Sequence, residues 1–295
     1  MRPTVALLLP LLLAACSPAT APEEAPAAVQ PNNATYGTDA NLAASKPDAI
    51  LRYADHPRGF AELRLPEGDG PFPLAVIYHG GCWKTGIASQ AYMAPLATRW
   101  QQLGIATLNV DYREVGDGGG WPGSFADWAA SAKLIDEVAA KYPIDRARVT
   151  LVGHSAGALP AQWLASAQGA DRPVGKRTAL EARAAIVLDG PGDVGAEQPA
   201  FDALCQFSAV APFIGDEAPR RLAAISPSAA EPQLAQLLFV QAKLPAPSAA
   251  TQAALAHGGA RVTVRENAGA SHFAIITPGN PVYEANEAAM LAVIK

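Results

Sequence analysis

The run Thr150-Leu151-Val152-Gly153-His154-Ser155-Ala156-Gly157 constrains this chain more than any other. A β-branched, apolar run meets Gly-X-Ser-X-Gly, and an Ala/Leu-rich segment over 156–167 follows. The pattern predicts a strand, a sharp turn and a helix, with Ser155 presented at the turn. Strand and helix must approach closely there, which calls for residues without a large Cβ substituent at 153 and 157. The hydroxyl of Ser155 then projects beyond the sheet, and the amide of Ala156 faces the same space at a helix N-terminus. Gly-X-Ser-X-Gly also arises by chance in a Gly- and Ala-rich chain. A strand before it and a helix after it, each on the required side, argue against chance.

With 295 residues, 50% hydrophobic and 17% charged, the chain can bury one full core, expected over 49–295. A formal charge of −5 provides no basic footprint, so nucleic acid is not an expected partner. Met1-Arg2 precedes an apolar run over 5–15 that is too short to span a bilayer, which reads as a secretory signal. Leu13-Ala14-Ala15-Cys16 resembles the lipobox of bacterial lipoproteins, which implies cleavage after residue 15 and lipidation of Cys16. Loss of Arg2 takes the formal charge from −5 to −6. Ser17 after the cysteine, by resemblance to Gram-negative lipoproteins, implies the periplasmic face of the outer membrane. Residues 16–48, rich in Pro, Ala and Asn, read as a flexible tether. Cys82 and Cys205 remain, in a compartment where disulfides persist. Spacing alone cannot show whether they meet, and the expectation is no bridge.

Along the domain, 59–66 alternates apolar with polar and reads as a strand at an antiparallel edge. Residues 74–78 form an unbroken apolar run, as a strand covered on both faces requires. It ends in His79-Gly80-Gly81-Cys82-Trp83, where paired glycines let the Gly81 and Cys82 amides turn toward the space beside the Ala156 amide. His79 and Trp83 are expected to brace that loop. A helix over 91–103 and a strand over 105–110 lead to Asp111-Tyr112-Arg113. Gly120-Trp121-Pro122-Gly123-Ser124 follows, with Ser124 as expected N-cap of a helix ending near Tyr142. Strands and helices then alternate, predicting right-handed crossovers and a mainly parallel sheet. Between Gly190 and Glu231, apolar residues recur at near-helical spacing between prolines and read as a small cap insertion. Residues 281–295 read as the closing helix.

The set His79-Gly80-Gly81-Cys82-Trp83, Asp111-Tyr112-Arg113, Gly120-Trp121-Pro122 and Gly153-His154-Ser155-Ala156-Gly157 resembles the α/β-hydrolase superfamily, in its bacterial esterase/lipase and kynurenine-formamidase-like branch. The resemblance covers roughly residue 51 to the C-terminus. It implies an α/β fold around a mainly parallel sheet, a catalytic Ser155, and an oxyanion hole from the Gly81, Cys82 and Ala156 amides. Asn267-Ala268-Gly269-Ala270-Ser271-His272-Phe273 resembles the branch's histidine loop, making His272 the base. His154 lies within the elbow, His79 in the glycine loop, and His56 and His257 at expected surface positions.

The acid is the difficulty. In that branch it follows the next-to-last strand, here 237–241, yet residues 242–247 hold no carboxylate. Asp189 ends the preceding strand, at a carboxyl edge where open α/β sheets bind ligands. Pancreatic-type lipases and platelet-activating-factor acetylhydrolases resemble that placement. Asp189 is therefore the expected acid and Asp193 the runner-up, with a turn cap as the alternative role of both; Glu266 is a poorer third, since it ends the last strand and is expected to face solvent. The resulting expectation is a serine carboxylesterase for small or medium acyl esters, without cofactor or metal. The alternatives are an amidase resembling formamidases and a non-catalytic envelope lipoprotein on a decayed hydrolase fold. No protein partner is evident, and oligomeric state is open.

Overall fold

The computed structural model describes Met1 and residues 42–167, 173–175 and 178–295. The expected signal segment, Cys16 and most of the tether lie outside the described residues. An eight-stranded sheet in the order β1-β2-β4-β3-β5-β6-β7-β8 organises the fold. Its strands are β1 (Ala49–Arg52), β2 (Phe60–Arg64), β3 (Phe72–Tyr78), β4 (Ala106–Val110), β5 (Ile144–His154), β6 (Ala184–Leu188), β7 (Gln236–Gln241) and β8 (Arg261–Glu266). β1 and β2 pair antiparallel, β2 joins β4 antiparallel, and every later pairing is parallel. The helices are α1 (Ala94–Gln102), α2 (Gly123–Ser131), α3 (Lys133–Lys141), α4 (Ala158–Trp163), α5 (Gln198–Cys205), α6 (Val210–Ile214), α7 (Ala218–Ile225), α8 (Ala249–His257) and α9 (Pro281–Ile294). None of the described helices is long and apolar enough to cross a membrane.

The period of two along the strands explains why the central ones read as unbroken apolar runs. Leu74, Val76 and Tyr78 of β3 enter one core, together with Leu151 of β5, Val187 of β6 and Phe239 of β7. Ala75 and Ile77, Val152, Ile186 and Val240 enter the other. The first core is closed by side chains of α2, α3, α4 and the insertion between β6 and β7. The second is closed by α1 and α9. Both faces of the sheet are thus covered, so β3 and β6 read as apolar runs, while β4 and β5 also bury Thr107, Asn109 and Thr150.

Several expectations are corrected. β2 is not the edge strand, because β1 pairs outside it. Residues expected at the end of the tether are docked: the Ser45 amide donates to Thr98 Oγ1 (2.8 Å) and its hydroxyl to Gln101 Oε1 (2.7 Å) on α1. Ser124 is not an N-cap. The helix starts at Gly123 with Pro122 as its N-cap, two residues earlier than expected, and Ser124 Oγ instead donates to the Arg113 carbonyl (2.6 Å) while accepting from the Gly120 amide (2.9 Å). The expected helix to Tyr142 divides at Ala132 into α2 and α3. The helix after the elbow opens as a 3₁₀ turn at Ser155–Gly157 and its α-helical part ends at Trp163. α8 was not expected; its N-cap is Ser248, whose hydroxyl accepts from the Thr251 amide.

Candidate active site

At the end of β5 the chain turns through Ser155 at φ 56°, a left-handed conformation unusual for a residue with a Cβ. Close approach explains the flanking glycines: a Cβ on Gly153 would overlap the Gly157 carbonyl, and one on Gly157 would overlap the Tyr78 carbonyl. The loop after β3 runs directly against this turn, since a Cβ on Gly80 would lie 2.7 Å from that of Ser155. Trp83 fastens the two together by donating Nε1–H to the Ala156 carbonyl at 3.1 Å. Gly81 and Cys82 both have positive φ, and neither amide donates to a backbone carbonyl or side chain among the described residues. His79 is fully buried, stacks on Tyr112, and has its ring nitrogens 2.6 Å from the Gly80 carbonyl and 3.1 Å from Asp111 Oδ1. The bracing roles of His79 and Trp83 are thereby visible as contacts.

His272 Nδ1 lies 2.6 Å from Asp189 Oδ2. Asp189 is fully buried at the end of β6, with φ 46°. Its carboxylate accepts from the amides of Ala242 (2.8 Å), Lys243 (2.9 Å to each oxygen) and Leu244 (2.9 Å). Burial pushes this carboxyl up. The hydrogen bond from His272, its charge, and the Ala242 and Lys243 amides outweigh burial and hold it below the usual range. The loop that lacks a carboxylate in its sequence therefore supplies backbone donors to a carboxylate from one strand earlier. Sequence reasoning missed these amides because backbone donors have no side-chain signature.

The runner-up acid is engaged elsewhere, and the third candidate faces solvent. Asp193 accepts from the Gly195 and Ala196 amides and from the Ser226 hydroxyl, closing a turn at the start of the insertion. Glu266 is exposed at the end of β8. His257 is exposed and pairs with Glu231. His56, expected at the surface, is half-buried with Nε2 3.2 Å from Asp127 Oδ1. Between Ser155 Oγ and His272, both among the described residues, the structure contains no hydrogen bond.

Two features had no sequence signal. Arg58 reaches Asp111 (2.9 Å), Glu114 (2.8 Å) and Asp117 (3.5 Å), tying the β1–β2 turn to the loop after β4. Glu114 is fully buried, and burial pushes its carboxyl well up. Tyr92, in the 3₁₀ turn before α1, meets both Gly80 and His154.

The expectation for the thiols is overturned: Cys82 and Cys205 form a disulfide with a Cα separation of 6.0 Å across 123 residues of sequence. The bridge becomes possible because α5 and α6 fold back onto the loop after β3. Trp83 stacks on Phe213 (ring centroids 4.3 Å) and lies 4.8 Å from the Phe201 ring, which sets the Cys205 end of α5 over Cys82. Nothing in the local sequence reports that long-range packing.

A family model, BD-FAE, matches residues 62–223. Among solved structures, a truncated form of a carbohydrate esterase from gut microbiota superposes at TM-score 0.65 and 17% identity, covering 87% of this chain and 99% of that one. A propionate-bound thermophilic esterase, Est2, from the Planctomycetes species Thermogutta terrifontis superposes at TM-score 0.63 and 18% identity, covering 83% of this chain and 93% of that one. Thermogutta terrifontis esterase 2 phosphonylated by cyclosarin gives TM-score 0.65 and 18% identity, covering 85% and 95%. At such identities the likeness establishes the fold. None of the curated proteins matches the sequence.

Proposed function

The chain belongs to the BD-FAE family, an esterase family of the α/β-hydrolase type, and from that premise we propose that it is a serine carboxylesterase acting on small or medium acyl esters. In this reading Ser155 Oγ attacks the ester carbonyl and His272 Nε2 takes its proton. Asp189, on Nδ1, fixes the tautomer and stabilises the imidazolium as it forms. The amides of Gly81, Cys82 and Ala156 receive the oxyanion. The proton returns to the leaving alcohol, and water, activated by the same histidine, releases the acyl group from Ser155.

The observation that carries the reading is the 2.6 Å contact between His272 and a buried, amide-clamped Asp189. A decayed fold drew its support from the lack of a carboxylate in 242–247, and this contact removes that support. The test uses the purified full chain. A fluorophosphonate probe should label Ser155, and p-nitrophenyl acetate or butyrate should be hydrolysed by wild type and not by Ser155→Ala. An unlabelled Ser155, or a Ser155→Ala variant with unchanged rate, would sink the reading. Comparing esters with the matching amides separates esterase from amidase.

For the N-terminus the proposal is cleavage before Cys16, lipidation of that cysteine, and residence at the periplasmic face of the outer membrane. Multiple acyl chains would hold the protein stably, each buried CH₂ contributing roughly 0.8 kcal/mol. Metabolic incorporation of a palmitate analogue, lost in Cys16→Ser, is the expected result.

A further inference from the structure

The esterase reading draws Asp189 from the end of β6 and its other groups from three loops: the loop after β3, the elbow and the loop after β8. One hydrogen-bonded string joins all three without passing through Ser155. The Gly80 amide donates to Tyr92 Oη, and Tyr92 Oη lies 2.7 Å from His154 Nδ1. His154 Nε2 lies 3.1 Å from the main-chain carbonyl of His272. A carbonyl oxygen only accepts, so Nε2 of His154 carries the proton. In the neutral ring Nδ1 is then an acceptor, and the tyrosine hydroxyl must donate to it. Its oxygen is left to accept from Gly80. Each link sets the direction of the next, and the whole string is buried, with Tyr92 5% and His154 1% exposed.

The neutral ring is also what the surroundings demand. Burial first, then the nearby His272, push the His154 imidazole down to about 3. The titratable groups around it are Tyr92 before α1, His79 after β3, Asp189 after β6 and His272 after β8. The His154 and His272 rings lie 4.4 Å apart by their centroids. A protonated neighbour at that distance would oppose the positive charge that His272 gains when it accepts the Ser155 proton.

We propose that Tyr92 and His154 are positioning residues, which through this string hold the Gly80–Cys82 loop and the His272 backbone in register with Ser155. The proposal rests on the esterase reading and adds to it a residue from outside the sequence motifs. Removing the Tyr92 hydroxyl leaves the Gly80 amide and His154 Nδ1 without this partner. Oxyanion donors and base can then drift relative to each other, a loss felt in the transition state more than in substrate binding.

The experiment is steady-state kinetics of full-length wild type and Tyr92→Phe on p-nitrophenyl butyrate, with thermal melts of both. Phenylalanine retains the ring packing against His154 and Phe273. The expected result is a fall in kcat of about tenfold to a hundredfold with KM within about threefold, the signature of an interaction made only in the transition state. A folded Tyr92→Phe with kcat within twofold of wild type overturns the proposal, whether or not its Tm falls, because a purely structural tyrosine predicts that outcome. If Tyr92→Phe does not fold, His154→Gln is read by the same two criteria; its amide can reach the His272 carbonyl but gives Tyr92 no acceptor at the Nδ1 position. Wild-type turnover with an unaffected variant sinks the string and leaves the esterase reading standing. A wild type that neither turns over ester nor takes a fluorophosphonate label sinks both.

Discussion

Asp189 and His154 are both buried beside His272, and their environments leave the first ionised and the second neutral. Asp189 is ionised because His272 and three amides compensate its burial. Asp189→Asn should lower kcat at least a hundredfold, whereas Asp193→Asn should stay within about fivefold, since Asp193 serves a turn. The reverse ranking in ester hydrolysis would exchange their roles. His154 stays neutral when folded but takes a proton near pH 6.5 when unfolded, so acid favours the unfolded chain. Its contribution is fully present above pH 6.5 and is lost at roughly 1.4 kcal/mol per pH unit on the way down to about 3. Asp189, held below its unfolded value, adds a further loss below about pH 4. Urea unfolding of wild type should therefore weaken steadily from pH 6.5 to 4, and His154→Gln should flatten that slope. Equal slopes would show that His154 is not the group being titrated.

Among the elements, the insertion between β6 and β7 changes most once its contacts are known. Its helices α5 and α6 stack on Trp83, and Cys205 bonds covalently to the residue beside it. A cross-link that closes so long a loop restrains the unfolded chain, typically by about 2–4 kcal/mol. Cys205→Ala should lower unfolding stability in urea by that order and depress esterase activity as well, because it frees the Cys82 loop. An unchanged midpoint would place the bridge outside the folded-state energetics. The elements most legible in sequence were those with local causes. β3 and β6 are apolar throughout because both faces are covered, and α9 begins at Pro281 behind an Asn280 cap. The turn at Ser155 and the loop that carries His272 were legible through motifs. What escaped depended on distance: β1 carries little pattern in four residues, Cys205 meets Cys82 only through α5 and α6, and Tyr92 looks like any buried tyrosine until the fold brings Gly80 and His154 to it.

Across the whole molecule, the antiparallel margin is wired to the site through charge. Arg58 binds Asp111 and Glu114, and Asp111 in turn faces His79 behind the glycine loop. Arg58→Met should destabilise the fold by about 3–5 kcal/mol, because it strands buried carboxylates without their partner. Raising the pH above the ordinary carboxylate range should deepen that loss, since Glu114, which burial already pushes up, is driven to ionise without its compensating cation. A melt of the variant that is independent of pH would argue against the pairing. The clamp on Asp189 has a different kind of consequence. Its donors are main-chain amides of Ala242, Lys243 and Leu244, so they belong to no side chain. Lys243→Ala should leave hydrolysis near wild type, while Lys243→Pro should abolish it, by deleting the one amide that reaches both oxygens. Substitutions could accumulate at these three codons, sparing only proline, glycine's looseness and bulk that clashes, and the acid would still be held. A support of this kind is inherited through the path of the chain, and leaves descendants that share a mechanism with no letters in common to mark it.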